Sequence, residues 1–120
     1  MLVIRHAQLD GFSRDLRKKL EARLETHLRS VFPKRTASLP PGRLTALVRS
    51  GIDRAEEYSV KLEVDVRCYL EFMLCYGPEF DKDPKCAWAG EILQRAGLNG
   101  TEKINELSAY ELFVLGGGPQ

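Results

Sequence analysis

The residues with the clearest chemical potential are Arg5 and His6, which follow an apolar run in the opening segment MLVIRHAQ. A histidine nitrogen can accept a phosphoryl group as a nucleophile, and a neighbouring guanidinium can bind the phosphate oxygens. That reaction also requires a second histidine and an acid that protonates the leaving group. The second histidine of the chain, His27, falls within a helical pattern beside the apolar Leu24 and Leu28. The opening segment therefore supplies only one half of a phosphoryl-transfer site.

The letters MLVIRHAQ resemble the start of the histidine phosphatase superfamily, in which a short strand presents an Arg-His pair. That resemblance implies an α/β sheet with its first histidine at a strand end. It is confined to the opening residues, and no later strand-to-helix unit carries a second histidine. We therefore predict that residues 2–8 lead into the first helix, with Arg5 and His6 near its polar start and without a catalytic role.

The acidic loop that contains Asp81 and Asp83 does not match a calcium-binding loop. Such a loop needs oxygen ligands at alternating positions, a central glycine and a late bidentate glutamate. Here Pro84, Lys85 and Cys86 follow the second aspartate. Metal-ligand spacing, a glycine-rich phosphate loop and a nucleophile-elbow serine are also missing from the sequence. We predict no catalytic residue, no cofactor-binding residue, no metal ligand and no resident cofactor.

Composition and charge are those of one globular domain. The chain has 120 residues, of which 43% are hydrophobic and 29% charged. Its net charge is +1, with basic residues concentrated in residues 1–35 and acidic residues in excess after residue 77. A nucleic-acid-binding domain usually shows a stronger basic stripe or a recognisable motif. We therefore expect no nucleic-acid partner.

Cysteine usage and the lack of targeting signals bear on the compartment. The three cysteines, Cys68, Cys75 and Cys86, cannot form a complete set of internal disulfides, so we predict core thiols in a reducing environment. No apolar run approaches the ~20 residues of a membrane span, and the start of the chain lacks a signal-peptide core. We expect a cytoplasmic protein without a membrane role.

Apolar residues recur at intervals of three or four along several stretches, which is the period of a helix that buries one face. The first row is Leu9, Phe12, Leu16, Leu20, Leu24 and Leu28. Pro33 marks the end of this helix, and we expect residues 33–42 to form a loop. A second helix follows, with Gly51 on its apolar face. Because glycine costs about 1 kcal/mol in a helix, its presence predicts the close approach of another helix.

Residues 58–76 are ambiguous because every even position is apolar, which is also the pattern of a strand. The stretch is much longer than the ~5–6 residues of an average strand and contains no turn residue. We therefore favour a largely buried central helix over a pair of strands. Gly77 and Pro78 end it. Asp83 and Pro84 then suit the cap and first position of a fourth helix.

Thr101 is the expected cap of a fifth helix, whose apolar row reaches Val114. Short connections between these helices predict an all-α fold, a single-domain compact bundle of about five helices. The domain should span residues 1–115. The glycine-rich residues 116–120 are predicted to form a flexible tail.

The order of segments across the chain also resembles a known group of proteins. These segments are IR..QL..F, HLRSVFP, LVRSGIDRAEEYSV, DVRCYLEFMLCYGPEFDKDP and WAGEIL. The most specific is YGPEFDKDP, residues 76–84. They are similar to small uncharacterised bacterial proteins that are encoded beside type VI secretion spike and effector genes, in polymorphic-toxin neighbourhoods. The resemblance spans residues 1–115 and implies an accessory role, in which the protein helps a toxin to fold or load, or neutralises it.

We therefore expect a non-enzymatic protein that binds a secreted effector or spike protein as an adaptor or co-chaperone. The alternative is an immunity protein that neutralises its toxin by direct binding. Such proteins often plug the active site of the toxin with acidic groups, and the acidic loop at residues 79–83 would suit that role. Helix faces and loops are common recognition surfaces. The candidate docking residues are Phe80, Asp81, Asp83 and Trp88 around the acidic loop, and Arg14, Arg17 and Lys18 in a basic row on the first helix. Both sets also have purely structural interpretations.

Overall fold

The structure, a computed structural model, describes residues 14–116. In chain order the helices are α1 (Arg14–Val31), α2 (Pro33–Ala37), α3 (Arg43–Glu57), α4 (Glu63–Tyr76), α5 (Ala87–Leu93) and α6 (Gly100–Phe113). A 3₁₀ turn, Pro84–Cys86, leads into α5. No strand is assigned within the described part of the chain. The all-α prediction is confirmed, and α2 is the one helix that it did not include.

α1 buries the second half of the apolar row that the sequence indicates. Leu20, Leu24 and Leu28 are almost fully buried, and burial of each leucine contributes roughly 1.5–3 kcal/mol to folding. The helix ends at Val31, ahead of Pro33, as predicted. Leu16, the preceding member of the row, is 50% exposed, so the prediction is wrong for this residue. Leu9 and Phe12, and the predicted lead-in at residues 2–8, lie outside the described residues.

The prediction of a loop over residues 33–42 is wrong in its first half. Pro33 begins α2 instead, at a position where proline is favoured because the missing N–H would have no helical partner. The Phe32 N–H still donates to the Leu28 carbonyl, and the Thr36 N–H donates to the Phe32 carbonyl. Helical i to i−4 hydrogen bonds therefore continue on both sides of the junction between α1 and α2. Thr36 stabilises the short helix by donating its hydroxyl to the Phe32 carbonyl at 2.9 Å.

Gly51 allows α3 to pack closely on α4. A Cβ atom at this position would overlap the Leu70 side chain and lie 2.7 Å from the sulfur of Met73. The predicted close approach of another helix is therefore confirmed, and the partner is α4. Val48, Ile52 and Ala55 on the same face of α3 are fully buried.

The helix predicted over residues 58–76 begins only at Glu63. The reason is a helix stop at the end of α3, in which Ser59 has a positive φ of 67°. The Ser59 N–H donates to the Glu56 carbonyl and the Val60 N–H donates to the Ala55 carbonyl, the two bonds of a Schellman motif. Serine occupies a position where glycine is usual, which hid this stop in the sequence.

Residues 77–86 connect α4 to α5 and follow the predicted punctuation. Gly77 ends α4 with a φ of 112°, a conformation that side chains other than glycine rarely adopt. Asp83 caps the next element as predicted, since its carboxylate accepts from the Lys85 N–H at 2.9 Å. That element begins as a 3₁₀ turn before it becomes α5.

The start and end of α6 differ from the prediction. Its cap is Asn99 rather than Thr101, because Asn99 and Glu102 form a reciprocal capping box. Thr101 lies inside the helix and donates its hydroxyl to Asp65 of α4. Val114, expected in the apolar row, is 61% exposed just beyond the helix. Of the predicted flexible tail, only Gly116 belongs to the described residues.

α4 lies at the centre of the fold and contacts α1, α3 and α6. The pairs Asp65–Thr101 and Tyr76–Glu111 show that α4 and α6 run in the same direction. Between α4 and the segments that follow it, the core is aromatic. Phe80 lies 5.1 Å from Tyr69 and 5.9 Å from Phe72, measured between ring centroids. This core fixes the acidic loop and α6 on the same framework.

Candidate functional site

The acidic loop is turned inward at its centre. Phe80 is 0% exposed and Asp81 is 2% exposed. Neither side chain presents a surface that a partner protein could contact, so the docking prediction is corrected for these two residues. The physical reason is that Phe80 fills the aromatic core, which carries the adjacent Asp81 inward with it.

Asp81 is held by two side chains of the α3 end. Arg54 Nη1 donates to both carboxylate oxygens at 2.8 and 2.9 Å, and the Tyr58 hydroxyl donates to Oδ2 at 2.7 Å. Hydrogen bonding to Asp81 raises the pKa of Arg54 above its usual range. Burial, with the same carboxylate, raises the pKa of Tyr58. These hydrogen bonds fix the acidic loop on the end of α3, so the role of Asp81 is structural.

The other two predicted residues of this loop region are half-buried. Asp83 caps the 3₁₀ turn, as described above. Trp88 stacks on Tyr110 of α6 with centroids 4.8 Å apart and planes 7° apart. It also meets Tyr76 edge-on at 5.6 Å, and the Tyr76 hydroxyl donates to Glu111 at 2.9 Å. Trp88 therefore joins α4, α5 and α6, with part of its surface left accessible.

The predicted basic row is divided by its contacts. Arg17 donates through Nε to Glu21 at 2.9 Å and through Nη2 to Asp53 at 3.1 Å. Glu21, which is largely buried, also accepts from Arg49 at 3.2 Å. Arg17 therefore joins α1 to α3, and its charge is already balanced within the molecule.

Arg14 and Lys18 differ from Arg17 because both side chains are exposed on α1. The structure does not bring these two residues into a cluster with Asp83 or Trp88. A docking role for the basic row therefore remains a prediction, and only for Arg14 and Lys18.

A shallow groove of about 560 Å³ runs between α1 and α4. Arg23 crosses it and donates to both Glu63 oxygens at 2.8 and 3.1 Å. Further along, the His27 Nε2 lies 2.6 Å from a Glu71 oxygen. Hydrogen bonding to Glu63 raises the pKa of Arg23. The Arg23–Glu63 pair matches charge across the groove, and the contact with Glu71 explains His27 as a link between two helices.

The largest run of exposed apolar side chains within residues 14–116 was not predicted from the sequence. It consists of residues 112–115, here called the apolar tip, at the end of α6. Leu112 is 59% exposed, Phe113 79%, Val114 61% and Leu115 41%. The signal was present in the sequence, because four consecutive large apolar residues cannot all lie on one buried helix face. Reading Val114 as a continuation of the core row concealed it.

All three cysteines are free thiols, but only Cys86 is buried, while Cys68 and Cys75 are half-buried. The prediction of core thiols is therefore confirmed for Cys86 alone. Burial raises the pKa of Cys68 to about 11 and also raises those of Cys75 and Cys86. Such thiols stay protonated at neutral pH and are weak nucleophiles.

Within residues 14–116, no group of three or more histidine, cysteine or acidic side chains is arranged to hold a metal ion. Among the same residues, no helix has the length and apolar character needed to cross a membrane. Arg5 and His6 lie outside this part of the chain, so their predicted lack of a catalytic role stays a prediction. Comparison with known proteins found no matching family model, no matching curated protein and no matching solved structure.

Proposed function

We propose that the protein is a non-enzymatic accessory protein that binds a partner protein through the apolar tip of α6. The observation that carries this proposal is the exposure of residues 112–115, above all of Phe113 at 79%. Contiguous exposed apolar side chains on a folded domain mark interaction sites. An exposed phenylalanine offers a partner pocket a large apolar area to bury.

The neighbourhood of the tip also suits docking. Glu111, just before it, is fixed by the Tyr76 hydroxyl, and Tyr110 is fixed by its stack on Trp88. The apolar tip therefore comprises the end of α6 and the two residues after it, and the turn before it is held by contacts with α4 and α5. Rigid presentation lowers the entropic cost of binding.

The resemblance to proteins encoded beside type VI secretion genes supports a secreted effector or a spike protein as the partner. In this proposal the protein acts as an adaptor or co-chaperone that keeps the partner competent for loading.

The test is co-expression with the effector or spike protein encoded beside it, followed by affinity purification and size-exclusion chromatography. Phe113→Glu should abolish co-elution, because it replaces a large apolar contact with a charge; loss of a central contact of this kind weakens binding by about 30-fold or more. Val64→Glu is the matched control, since Val64 is 60% exposed at the other end of the α4–α6 pair. Equal co-elution of wild type and Phe113→Glu would reject the proposed surface.

The alternative, an immunity protein, is favoured by the exposed carboxylates of Glu91, Glu102 and Glu106 beside α6, which would suit a basic toxin surface. Cell survival separates the two functions. An immunity protein rescues cells that express the toxin, whereas an adaptor leaves them inviable and is needed only for delivery.

A further inference from the structure

The outward face of α6 changes character along its length. Its exposed positions recur at intervals of three or four, which places them on one side of the helix. Those along this line are Glu102, Asn105, Glu106, Ala109, Leu112 and Phe113. The first half of this face is acidic and the second half is apolar. From Glu102 to Phe113 it extends about 17 Å, or three turns.

Neighbouring side chains leave the first half negatively charged. Glu91 of α5 is 79% exposed and Glu106 is 52% exposed, measured on their side chains. Arg95 lies between them, with its guanidinium 3.8 Å from Glu91 and 3.6 Å from Glu106. Glu102 adds a third carboxylate to this half of α6, and it accepts a hydrogen bond from the Asn99 N–H. The charge is therefore only partly balanced.

We infer that the outward face of α6 binds an amphipathic segment of the partner protein that carries both apolar and basic side chains. This inference rests on the proposed function and names the chemistry of the partner. Apolar residues of the segment pack on Leu112 and Phe113. Lysine or arginine residues, about two turns away along the segment, lie against Glu106 and Glu102. Such complementarity sets specificity and association rate more than total affinity.

The same charges disfavour two other occupants. A membrane surface rich in anionic lipid would repel the carboxylates next to the apolar tip. A second copy of this chain could pair its tip only in poor arrangements: parallel helices would bring acidic halves together, and antiparallel helices would place each tip on a charged half. Like charges in contact across an interface oppose association.

The test uses two fluorescein-labelled synthetic helical peptides with the same apolar residues, one carrying lysines and the other glutamates. Binding to the full chain is followed by fluorescence anisotropy. The lysine peptide should bind wild type at least tenfold more tightly than the glutamate peptide. Glu106→Lys should remove this preference, because two lysine or arginine charges would then balance the two remaining carboxylates. Phe113→Glu should abolish binding of both peptides. Glu106 is chosen because Glu102 also caps α6, so its substitution would disturb the helix itself.

Each other result overturns the inference. Equal binding of both peptides to wild type and to Glu106→Lys removes the charge requirement but leaves the apolar docking surface in place. If neither peptide binds, the inference fails, and the co-elution experiment with Phe113→Glu then decides the proposed function separately. Analytical ultracentrifugation tests for a dimer. A concentration-dependent dimer that Phe113→Glu abolishes would show that a second copy of the chain binds the outward face of α6. Sedimentation of the protein with phosphatidylglycerol vesicles would show that this face binds a membrane surface instead.

Discussion

At the scale of single residues, the buried Asp81 carboxylate forms hydrogen bonds with Arg54 and Tyr58 in place of water. A buried carboxylate is tolerable only when charge and hydrogen bonds compensate for its lost hydration. Two hydrogen bonds from Arg54 Nη1 and one from the Tyr58 hydroxyl provide this compensation. Removal of one partner leaves the other polar groups unsatisfied, which costs more than the bond itself contributes.

Two tyrosine-to-phenylalanine substitutions test this balance. Tyr58→Phe should lower the free energy of unfolding by about 1.5–3 kcal/mol, because a hydrogen bond to a charged group is lost. Tyr69→Phe should leave it unchanged or raise it by up to about 1 kcal/mol, since the buried Tyr69 hydroxyl has no hydrogen-bond partner within the described part of the chain. Urea denaturation at neutral pH measures both. Equal losses would mean that Tyr69 has a polar partner of its own.

The contrast between Asp81 and Asp83 marks the limit of sequence analysis at this scale. Both are aspartates in one charged loop, and Asp83 was recognised as a cap because proline follows it directly. The role of Asp81 depends on Arg54, which lies 27 positions earlier in the chain. Nothing in the local pattern of residues 77–83 indicates that contact.

At the scale of elements, Gly51 and Gly100 both allow close packing, but the atoms that they face differ in their freedom to move. Gly51 faces side chains of α4, namely Leu70 and Met73, whose ends can move. Gly100 faces backbone: a Cβ atom there would overlap the Ser59 carbonyl oxygen and lie 2.8 Å from the Val60 Cα. Backbone cannot rotate out of the way, so α6 begins where only glycine fits against the α3 end.

Alanine at each position should therefore have unequal effects. Gly100→Ala should lower the free energy of unfolding by about 2–3 kcal/mol through overpacking. Gly51→Ala should cost less, because the gain of about 1 kcal/mol in helix propensity offsets part of the rearrangement of Leu70 and Met73. Thermal and urea unfolding of the two variants, with far-UV circular dichroism as the signal, gives the comparison. A larger loss at Gly51 would contradict this account of the packing.

The existence of every helix except α2 was predictable, while the helix boundaries depended on local hydrogen bonding. The apolar rows of α1 and α3 and the breakers Gly77 and Pro78 were clear in the sequence. The start of α4 was not, because Ser59 adopts a conformation that serine seldom signals. Asn99 was overlooked as a cap in favour of Thr101, although Glu102 completes a capping box only with Asn99.

At the scale of the whole molecule, burial makes the fold sensitive to alkaline pH. The pKa of the Cys68 thiol rises from 9.0 to about 11, mainly through burial. Between these values the unfolded chain loses its proton while the folded chain keeps it, so stability falls as pH rises. Below pH 9 the contribution is fully present. The raised pKa values of Tyr58, Tyr69 and Tyr76 act in the same direction at higher pH.

We therefore expect the free energy of unfolding to be flat from neutral pH to about pH 9 and to decrease from there to pH 11. Cys68→Ala should be less stable at neutral pH because a half-buried side chain is truncated, but its decrease over this interval should be smaller. Urea denaturation at half-unit pH intervals measures the slopes. The same slope in both proteins would remove Cys68 as a contributor.

The way residues 77–83 are fixed decides where the chain can be lengthened. Their backbone turns on itself through Phe80 N–H to Gly77 O and Lys82 N–H to Glu79 O, and the Asp81 carbonyl lies directly against Gly90. An inserted tag or domain would have to displace Phe80 from the core. Residues 94–97, between α5 and α6, are exposed and offer a site for insertion. The acidic loop is thus a segment that an engineer must leave intact.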